Sequence, residues 1–208
     1  MKLTLQFSIS LKMQIFISDL NSVSSDELNE WFENSSPEKQ REISLVKVEK
    51  KRIERIVSDH LKRTALAEYC GVDPLGIEFS KGSKGKPFAK GLDVCFNVSH
   101  SGDFAVCAVS EKEIGADIEK IRPINPRTAE KFASPTELDY IRSHENGLFE
   151  IWVLKEAYFK CIGSGLGRDV KDVHFSISES KVKCSDENYE CSFIEISDGY
   201  ICAVCEKK

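Results

Sequence analysis

The sequence FNVSHSGDFAVCAVSEKEIGADIEK, residues 96–120, predicts three β-strands separated by short turns. The predicted strands cover residues 96–100, 104–110 and 114–119. The chain divides near residue 112 into two comparable halves, each with helical patterns and antiparallel-type strands. This order predicts an α+β fold made of two similar subdomains, each a small, mainly antiparallel sheet packed with helices.

The longest predicted helix lies ahead of these strands. From about Lys50 to Cys70, apolar residues recur at spacings of three and four, and Gly71 ends the pattern. The opposite face of this helix is basic, and it is read equally well as a solvated face or as the wall of an anion site. The basic residues are Lys50, Lys51, Arg52, Arg55, Lys62 and Arg63.

Shorter helical patterns surround this helix along the chain. One helix is predicted from Ser24 to Trp31, and another opens at Ser36-Pro37, with Ser35 and Glu38 as its capping box. A third helical region runs from Asn125 to about Ile162. Interruptions of that region are predicted near residues 134–135 and 146–147.

The two halves set the predicted domain boundaries. Residues 1–12 are predicted to be an N-terminal extension ahead of the first strand at residues 13–19. Residues 13–112 form the predicted N-terminal subdomain, and residues 113–208 form the predicted C-terminal subdomain.

Composition argues against several classes of protein. With 34 acidic and 29 basic residues the net charge is −5, so no global positive field attracts nucleic acid. No apolar run approaches the roughly 20 residues that span a bilayer, so no membrane association is expected. The 8 cysteines lie mostly among aliphatic residues, which is typical of reduced thiols and favours a cytoplasmic location. Cys202 and Cys205 form half of a zinc pattern, but their spacing on a strand points the thiols to opposite faces.

Asp117-Ile118-Glu119 is the first segment that could carry chemistry. Residues i and i+2 of a strand point to one face, so two carboxylates project together while Ile118 faces the core. Mg²⁺ prefers oxygen ligands and is commonly held by one or two carboxylates plus substrate phosphates. Taken alone, the same pattern is also typical of an exposed strand that binds nothing.

The second segment is Trp152-Val-Leu-Lys155-Glu156-Ala-Tyr-Phe-Lys160. On a helix its larger side chains share one side, and packing is expected to take Trp152 and Phe159 and to leave Glu156 with both lysines at the rim. Glu156 either forms a plain i,i+4 pair with Lys160 or supplies the third carboxylate of a magnesium site. In the second case the lysines neutralise phosphate oxygens.

The third segment, Asn97-Val-Ser99-His100-Ser101-Gly102, places hydroxyls and an imidazole at a strand end before a glycine turn. Such donors suit a phosphate. The alternatives are a turn residue at Ser99 and a packed, hydrogen-bonded histidine at His100. The pattern is not Gly-x-Ser-x-Gly, and no acid is placed to complete a triad, which argues against a serine hydrolase.

Four motifs in this order resemble those of the 4′-phosphopantetheinyl transferases, and of the Sfp-type (surfactin-synthetase-activating) group in particular. They are Gly85-Lys86-Pro87, Phe96-Asn-Val-Ser99-His100, Gly115-Ala-Asp117-Ile-Glu119-Lys, and Trp152-x-x-Lys155-Glu156-Ala-x-x-Lys160 with Gly163-x-Gly165-Leu166. The resemblance implies the fold of that family, two similar halves in one monomeric chain. It implies a holo-[acyl-carrier-protein] synthase that moves 4′-phosphopantetheine from coenzyme A to a serine of an apo acyl or peptidyl carrier protein, releasing 3′,5′-ADP. It also implies Mg²⁺, with Mn²⁺ as a substitute.

The resemblance also implies roles for single residues. Asp117, Glu119 and Glu156 match the magnesium ligands of the family. Catalysis is assigned to Glu156, Lys160 and Lys155, with Lys160 at the transferred phosphate. Contacts to coenzyme A are assigned to Lys39, Arg55, Lys86, Pro87, Ser99, His100, Asp117, Lys155 and Lys160. Glu137 matches a further acidic position whose role is left open. The nucleotide contacts are expected in the N-terminal subdomain, and the metal site and catalytic helix in the C-terminal one.

Two positions depart from the Sfp-type pattern. Glu42 and Glu54 stand where that pattern has basic residues. Contacts to the 3′-phosphate of coenzyme A are therefore expected to be rearranged, with Lys39 retained and Arg55 as the substitute.

Two other functions stay open at this point. A different magnesium-dependent phosphotransfer or phosphodiester enzyme could use three carboxylates and lysines, but it would not need the Ser99-His100 motif. A catalytically silent homologue could bind coenzyme A or a carrier domain, although the full set of candidate metal ligands argues against it.

Overall fold

The structure, a computed structural model, describes residues 4–10, 13–82, 85–179 and 181–208. It divides the chain into two compact units. Unit 1 comprises Met1–Ser80 and Pro87–Glu111, and unit 2 comprises Lys81–Lys86 and Lys112–Lys208. Of the predicted extension over residues 1–12, residues 1–3, 11 and 12 lie outside the described residues, whereas residues 4–10 form a strand.

Unit 1 is built on an antiparallel sheet with one long helix against it. Its helices are α1 Ser25–Glu33, α2 Pro37–Ser44 and α3 Glu49–Cys70, and its sheet strands are β1 Thr4–Ser10, β2 Met13–Asp19, β5 Cys95–Ser101 and β6 Phe104–Ser110. The strand order is β1-β2-β6-β5. The short strands β3 Phe79–Lys81 and β4 Pro87–Ala89 form a separate pair. Helix α3 packs on β6, β5 and β2 and buries the apolar side that the periodicity predicts.

Helix ends follow local chemistry. The predicted end of the long helix is confirmed, because Gly71 adopts a left-handed conformation (φ 68°) and its N–H donates to Ala67 O. The predicted capping box at Ser35 and Glu38 is wrong. The cap of α2 is Ser36, whose hydroxyl accepts from Lys39 N, with Pro37 in the first turn. Ser35 Oγ instead donates to Trp31 O and lies 3.2 Å from Asp59 Oδ2.

Unit 2 places one helix across a second antiparallel sheet. Its helices are α4 Pro135–Ser143 and α5 Gly147–Ile162, and its strands are β7 Ile114–Lys120, β8 Phe175–Ser178, β9 Lys181–Cys184, β10 Tyr189–Ile194 and β11 Tyr200–Lys207. The main sheet has the order β10-β11-β7, and β8 pairs with β9. Helix α5 packs on β7 and β11. The predicted α+β class is confirmed, as are the breaks near 134–135 and 146–147, where α4 and α5 begin.

No helix among the described residues is both long and apolar enough to cross a membrane. The cysteines of the chain are free thiols.

Gly115 on β7 lies where α5 crosses the sheet. A Cβ at this position would overlap the backbone O of Ala157 and the backbone N of Cys161, both on α5. The absence of a side chain therefore lets the helix approach the strand closely. This contact fixes the separation of the two elements that carry Asp117 and Glu156.

Gly115→Ala is therefore expected to destabilise the protein by at least about 1–3 kcal/mol, because the added methyl forces backbone atoms apart in a packed core. Urea unfolding followed by circular dichroism measures this loss. Gly167→Ala is the matched control, since a Cβ there would meet no atom within 4 Å among the described residues, its two chain neighbours aside. Equal unfolding midpoints for the two variants would contradict the close-packing argument.

Candidate active site

Two elements of unit 2 carry the predicted catalytic and metal-binding side chains. On β7, Asp117 and Glu119 pair with Ala203 and Ile201 of β11, so the alternation of the strand puts the two carboxylates on one face. Ile118 between them is buried, as predicted. Glu156 and Lys160 lie one turn apart on α5, which packs on this strand.

Lys160 connects the helix to the strand. Its Nζ donates to Asp117 Oδ1 at 2.5 Å, and Asp117 is only 5% exposed. This contact joins the second predicted motif to the first across 43 residues of sequence. The ammonium therefore lies at the carboxylate of β7 rather than serving only as an i,i+4 partner of Glu156.

Glu119 forms an ion pair with Arg122. Arg122 Nη1 lies 2.8 Å from Glu119 Oε2 and also donates to Lys120 O. Glu119 is partly exposed at the end of the strand. The guanidinium was not singled out from the sequence, although its spacing of three from Glu119 was visible there.

Glu156 lies in a negative environment. Burial raises the pKa of its carboxyl above the usual range, Lys160 opposes this shift, and the Asp117 and Glu119 carboxylates add to it. The Asp117 and Glu119 carboxylates therefore disfavour ionisation of Glu156. A cation placed among them would relieve this repulsion.

The three carboxylates are neighbours without forming a coordination shell. In the part of the chain that the structure describes, no group of three His, Cys, Asp or Glu side chains is arranged to hold a metal ion. Lys160 and Arg122 engage two of the three carboxylates. The donor set consists of anionic oxygens, which is the chemistry that Mg²⁺ prefers. The residues fit the predicted ion in chemistry, and the ligand assignment stays a prediction.

Lys155 does not lie at the rim of this site, and that prediction is wrong. Its side chain is completely buried and its Nζ donates to Val170 O and Val173 O at 2.8 and 2.6 Å. The same ammonium lies 3.0 Å from Glu137 Oε2, which is also completely buried. An ammonium enclosed in this way presents no surface to a substrate. The structure thus gives Lys155 a structural role in place of the predicted contacts with substrate.

Glu137, whose role the sequence left open, is the partner of this lysine. It caps α4 through Ser134 N at 2.7 Å and accepts from Phe175 N at 2.9 Å. The pair therefore ties α4, α5 and the start of β8 together inside unit 2.

Lys86 has structural contacts of a similar kind. Its Nζ donates to Ile114 O on β7 and to Cys161 O in the last turn of α5, both at 2.8 Å. Cations near a helix C-terminus stabilise its free carbonyl groups. The predicted contact of Lys86 with coenzyme A stays a prediction.

Unit 1 contains a cleft of about 290 Å³ that brings together four of the residues predicted to bind coenzyme A. These four are Lys39, Arg55, Pro87 and His100, and the other lining residues are Ser58, Asp59, Lys62, Phe96, Asn97 and Val98. Ser99 is buried in β5 and is not among the lining residues. We call this site the basic cleft.

Both departures from the Sfp-type pattern lie beside the basic cleft. Glu42 accepts from Lys39 Nζ at 3.1 Å and from Arg55 Nη1 at 3.2 Å, so one exposed carboxylate links the two cations. Glu54, which is buried, has its Oε2 3.7 Å from His100 Nδ1. The acidic substitutions are therefore paired with the residues predicted to bind phosphate.

The sequence did not single out Lys62 as a site residue. Arg55 and Lys62 are seven residues apart and lie on the same stripe of α3, which is the wall of the basic cleft. The spacing is readable from the sequence, but a basic helix face of this kind is equally typical of solvated lysines. Both residues line the basic cleft, and the anion-site interpretation of this face stays a prediction.

Comparisons with known proteins agree with the motif order. A family model described as "4′-phosphopantetheinyl transferase, N-terminal" matches residues 22–112, and one described as "4′-phosphopantetheinyl transferase superfamily" matches residues 113–205. The 4′-phosphopantetheinyl transferase Sfp of Bacillus subtilis (strain 168) is 29% identical over 205 residues, covering 93% of this chain and 92% of that protein. The 4′-phosphopantetheinyl transferase ffp of Bacillus subtilis is 32% identical over 162 residues, covering 72% of each.

A solved structure also matches part of this chain. It is a holo-(acyl-carrier-protein) synthase from Bacillus anthracis str. Ames in complex with CoA (3′,5′-ADP), with a TM-score of 0.40 and 22% identity. The match covers 48% of this chain and 93% of that one.

Proposed function

Because the chain belongs to the 4′-phosphopantetheinyl transferase superfamily, and within it to the Sfp-type group, we propose that it transfers 4′-phosphopantetheine from coenzyme A to a serine hydroxyl of an apo carrier protein. The observation that carries this proposal is the contact between Lys160 and Asp117, which unites the α5 motif with the β7 motif. Acyl and peptidyl carrier proteins both present such a serine. The free thiols support a cytoplasmic location for the reaction.

The proposed reaction is a displacement at phosphorus. The serine oxygen forms a bond to the phosphorus that bears pantetheine, the bond from that phosphorus to the bridging oxygen breaks, and 3′,5′-ADP leaves with the electron pair. The serine loses its proton in the same process. The reacting phosphates are already anionic, so the site needs positive charge more than it needs a nucleophile of its own.

Two side chains of unit 2 have suitable chemistry for these steps. Lys160 carries a positive charge that can stabilise the transferred phosphate, and Asp117 holds its ammonium in place. Glu156 is the candidate acceptor for the serine proton, because burial and the neighbouring carboxylates raise its pKa toward the working range of a general base.

A magnesium ion is the cofactor that the donor set fits. Asp117, Glu119 and Glu156 would hold it, and when bound it supplies positive charge that stabilises the diphosphate and its leaving group. In the described residues two of these acids are paired with Lys160 and Arg122.

The basic cleft is the proposed site for the phosphate-bearing nucleotide of coenzyme A. Lys39, Arg55 and His100 supply the cationic or hydrogen-bonding groups, and Pro87 supplies an apolar surface. Lys155 is not proposed to contact coenzyme A, because its ammonium is enclosed in the core of unit 2.

The test is to incubate the protein with coenzyme A, Mg²⁺ and a panel of apo carrier proteins, and to follow the carrier mass. We expect one phosphopantetheine group per carrier, release of 3′,5′-ADP, and no reaction when Mg²⁺ is chelated. A carrier whose serine is replaced by alanine is the control. Hydrolysis of phosphodiesters without carrier modification would support a different magnesium enzyme. Calorimetric binding of coenzyme A without product would support the catalytically silent homologue.

Glu42→Gln is expected to lower the KM for coenzyme A by about 2–10-fold without changing kcat. The amide keeps the shape of the side chain but removes the carboxylate that competes with phosphate for Lys39 and Arg55. Initial rates against coenzyme A concentration measure the effect. Glu38→Gln, an exposed acid on the same helix, is the matched control. An unchanged or higher KM would show that Glu42 does not compete with the substrate.

A further inference from the structure

Lys62 is a cation of the basic cleft that the family resemblance does not assign. It lies on α3 two turns after Arg55, and its side chain is 17% exposed at the cleft wall. Its Nζ lies 4.1 Å from the centroid of the Phe79 ring, a favourable cation–π distance. The side chain is therefore held in place while its charged end lies beside the cleft.

The carboxylate of Asp59, also on α3, binds this ammonium. Asp59 Oδ1 lies 2.6 Å from Lys62 Nζ, and its other oxygen accepts from Arg63 Nε at 3.1 Å. Burial alone would raise the pKa of Asp59, but Lys62 and Arg63 outweigh it, so the net shift is downward and the carboxylate is ionised. Arg63 points into the protein, where it donates to Ile77 O and Pro74 O.

The local charge count leaves Lys62 available for an anion. One carboxylate, Asp59, serves two cations, so the group of three carries a surplus of one positive charge. Arg63 is 9% exposed, and its Nη1 donates to the backbone carbonyl of Ile77. An ammonium has three N–H donors, so Lys62 can bind Asp59 and a phosphate oxygen together.

The other cations of the cleft are less favourably placed. Lys39 and Arg55 share the Glu42 carboxylate, and His100 faces Glu54. In both places an acid stands where the Sfp-type pattern has a basic residue. With acids at these two positions, the cleft needs positive charge from other residues to bind a phosphate dianion.

We propose that Lys62 contacts the 3′-phosphate of coenzyme A and makes the enzyme discriminate coenzyme A from 3′-dephospho-coenzyme A. The inference rests on the proposed function, since it assigns the nucleotide to the basic cleft. It makes Lys62 a specificity-determining residue, and Asp59 the residue that positions it.

The test measures kcat/KM with coenzyme A and with 3′-dephospho-coenzyme A, on one apo carrier protein, for the unmodified protein and three variants. Lys62→Gln removes the charge but keeps an N–H donor for Asp59, and Lys62→Arg keeps the charge. Lys51→Met removes a lysine from an exposed position of the same helix. Thermal unfolding of each variant is recorded beside the kinetics.

Lys62→Gln is expected to lower kcat/KM for coenzyme A by about 10–100-fold, mainly through KM, and to change the value for 3′-dephospho-coenzyme A by less than about twofold. Lys62→Arg is expected to keep most of the preference for coenzyme A over 3′-dephospho-coenzyme A, and Lys51→Met to leave it unchanged. A loss that is equal for both substrates would assign Lys62 a merely structural role and overturn the proposal, as would an unchanged preference in Lys62→Gln.

Direct binding separates this proposal from the proposed function. Calorimetry with 3′,5′-ADP and with 5′-AMP gives the contribution of the 3′-phosphate without any transfer reaction. If the unmodified protein modifies no carrier, the proposed function fails, and a 3′-phosphate preference that Lys62→Gln removes still supports the role of Lys62. If 3′,5′-ADP binds the unmodified protein and Lys62→Gln equally well, the role of Lys62 is refuted even in an active enzyme.

Discussion

Glu156→Gln is expected to reduce kcat by about 10²–10³-fold while the protein stays folded. The amide is nearly isosteric with the carboxyl but can neither accept the serine proton nor carry negative charge. Burial and the Asp117 and Glu119 carboxylates raise the pKa of Glu156. A negative charge on this side chain is therefore electrostatically unfavourable in the absence of substrate. Neutralising it should therefore leave stability equal or higher, so lost activity cannot be attributed to unfolding.

The measurement is the rate of mass gain of an apo carrier protein at saturating coenzyme A, with circular dichroism as the check on folding. Glu195→Gln, an exposed acid of the same unit, should retain full activity. Asp117→Ala should lose activity to a similar degree, because it removes both a predicted metal ligand and the partner of Lys160. Full activity in Asp117→Ala would rule out the metal assignment.

Local rules determined what the sequence could predict. The length of α3 follows from apolar spacing and from Gly71, and the common face of Asp117 and Glu119 follows from strand alternation. Both depend on neighbours within a few residues. The four motifs are recognisable for the same reason, since each is a short continuous segment.

Tertiary partners determined what the sequence could not predict. Helical spacing predicts that Lys155 shares a side of α5 with Glu156. Whether its side chain points to solvent or into the core depends on Glu137, 18 positions earlier, and on carbonyl groups after α5. Lys86 likewise finds its acceptors on β7 and α5. The same limit applies to Lys62, whose position at the basic cleft depends on β4 and β5.

Lys155→Met is expected to lower the free energy of unfolding by about 3–5 kcal/mol, because it leaves the Glu137 carboxylate in the core without its counter-charge. Burial lowers the pKa of Lys155, and the Glu137 carboxylate opposes that shift. Each member of the pair therefore stabilises the charged form of the other only while both are present. The variant also removes the donor to Val170 O and Val173 O. Urea unfolding monitored by tryptophan fluorescence measures the loss, and Lys181→Met, an exposed lysine of unit 2, is the control.

A double variant distinguishes a structural from a catalytic Lys155. Adding Glu137→Gln to Lys155→Met removes the unpaired charge, and the amide oxygen can still accept from Phe175 N. We expect the double variant to recover part of the lost stability, because two neutral side chains avoid the penalty of a lone buried ion. If Lys155 acts only through packing, carrier modification should recover with stability when both are measured well below the unfolding transition. A double variant that is stable but inactive would return Lys155 to the catalytic group, since only a direct contribution to phosphoryl transfer would then explain the loss.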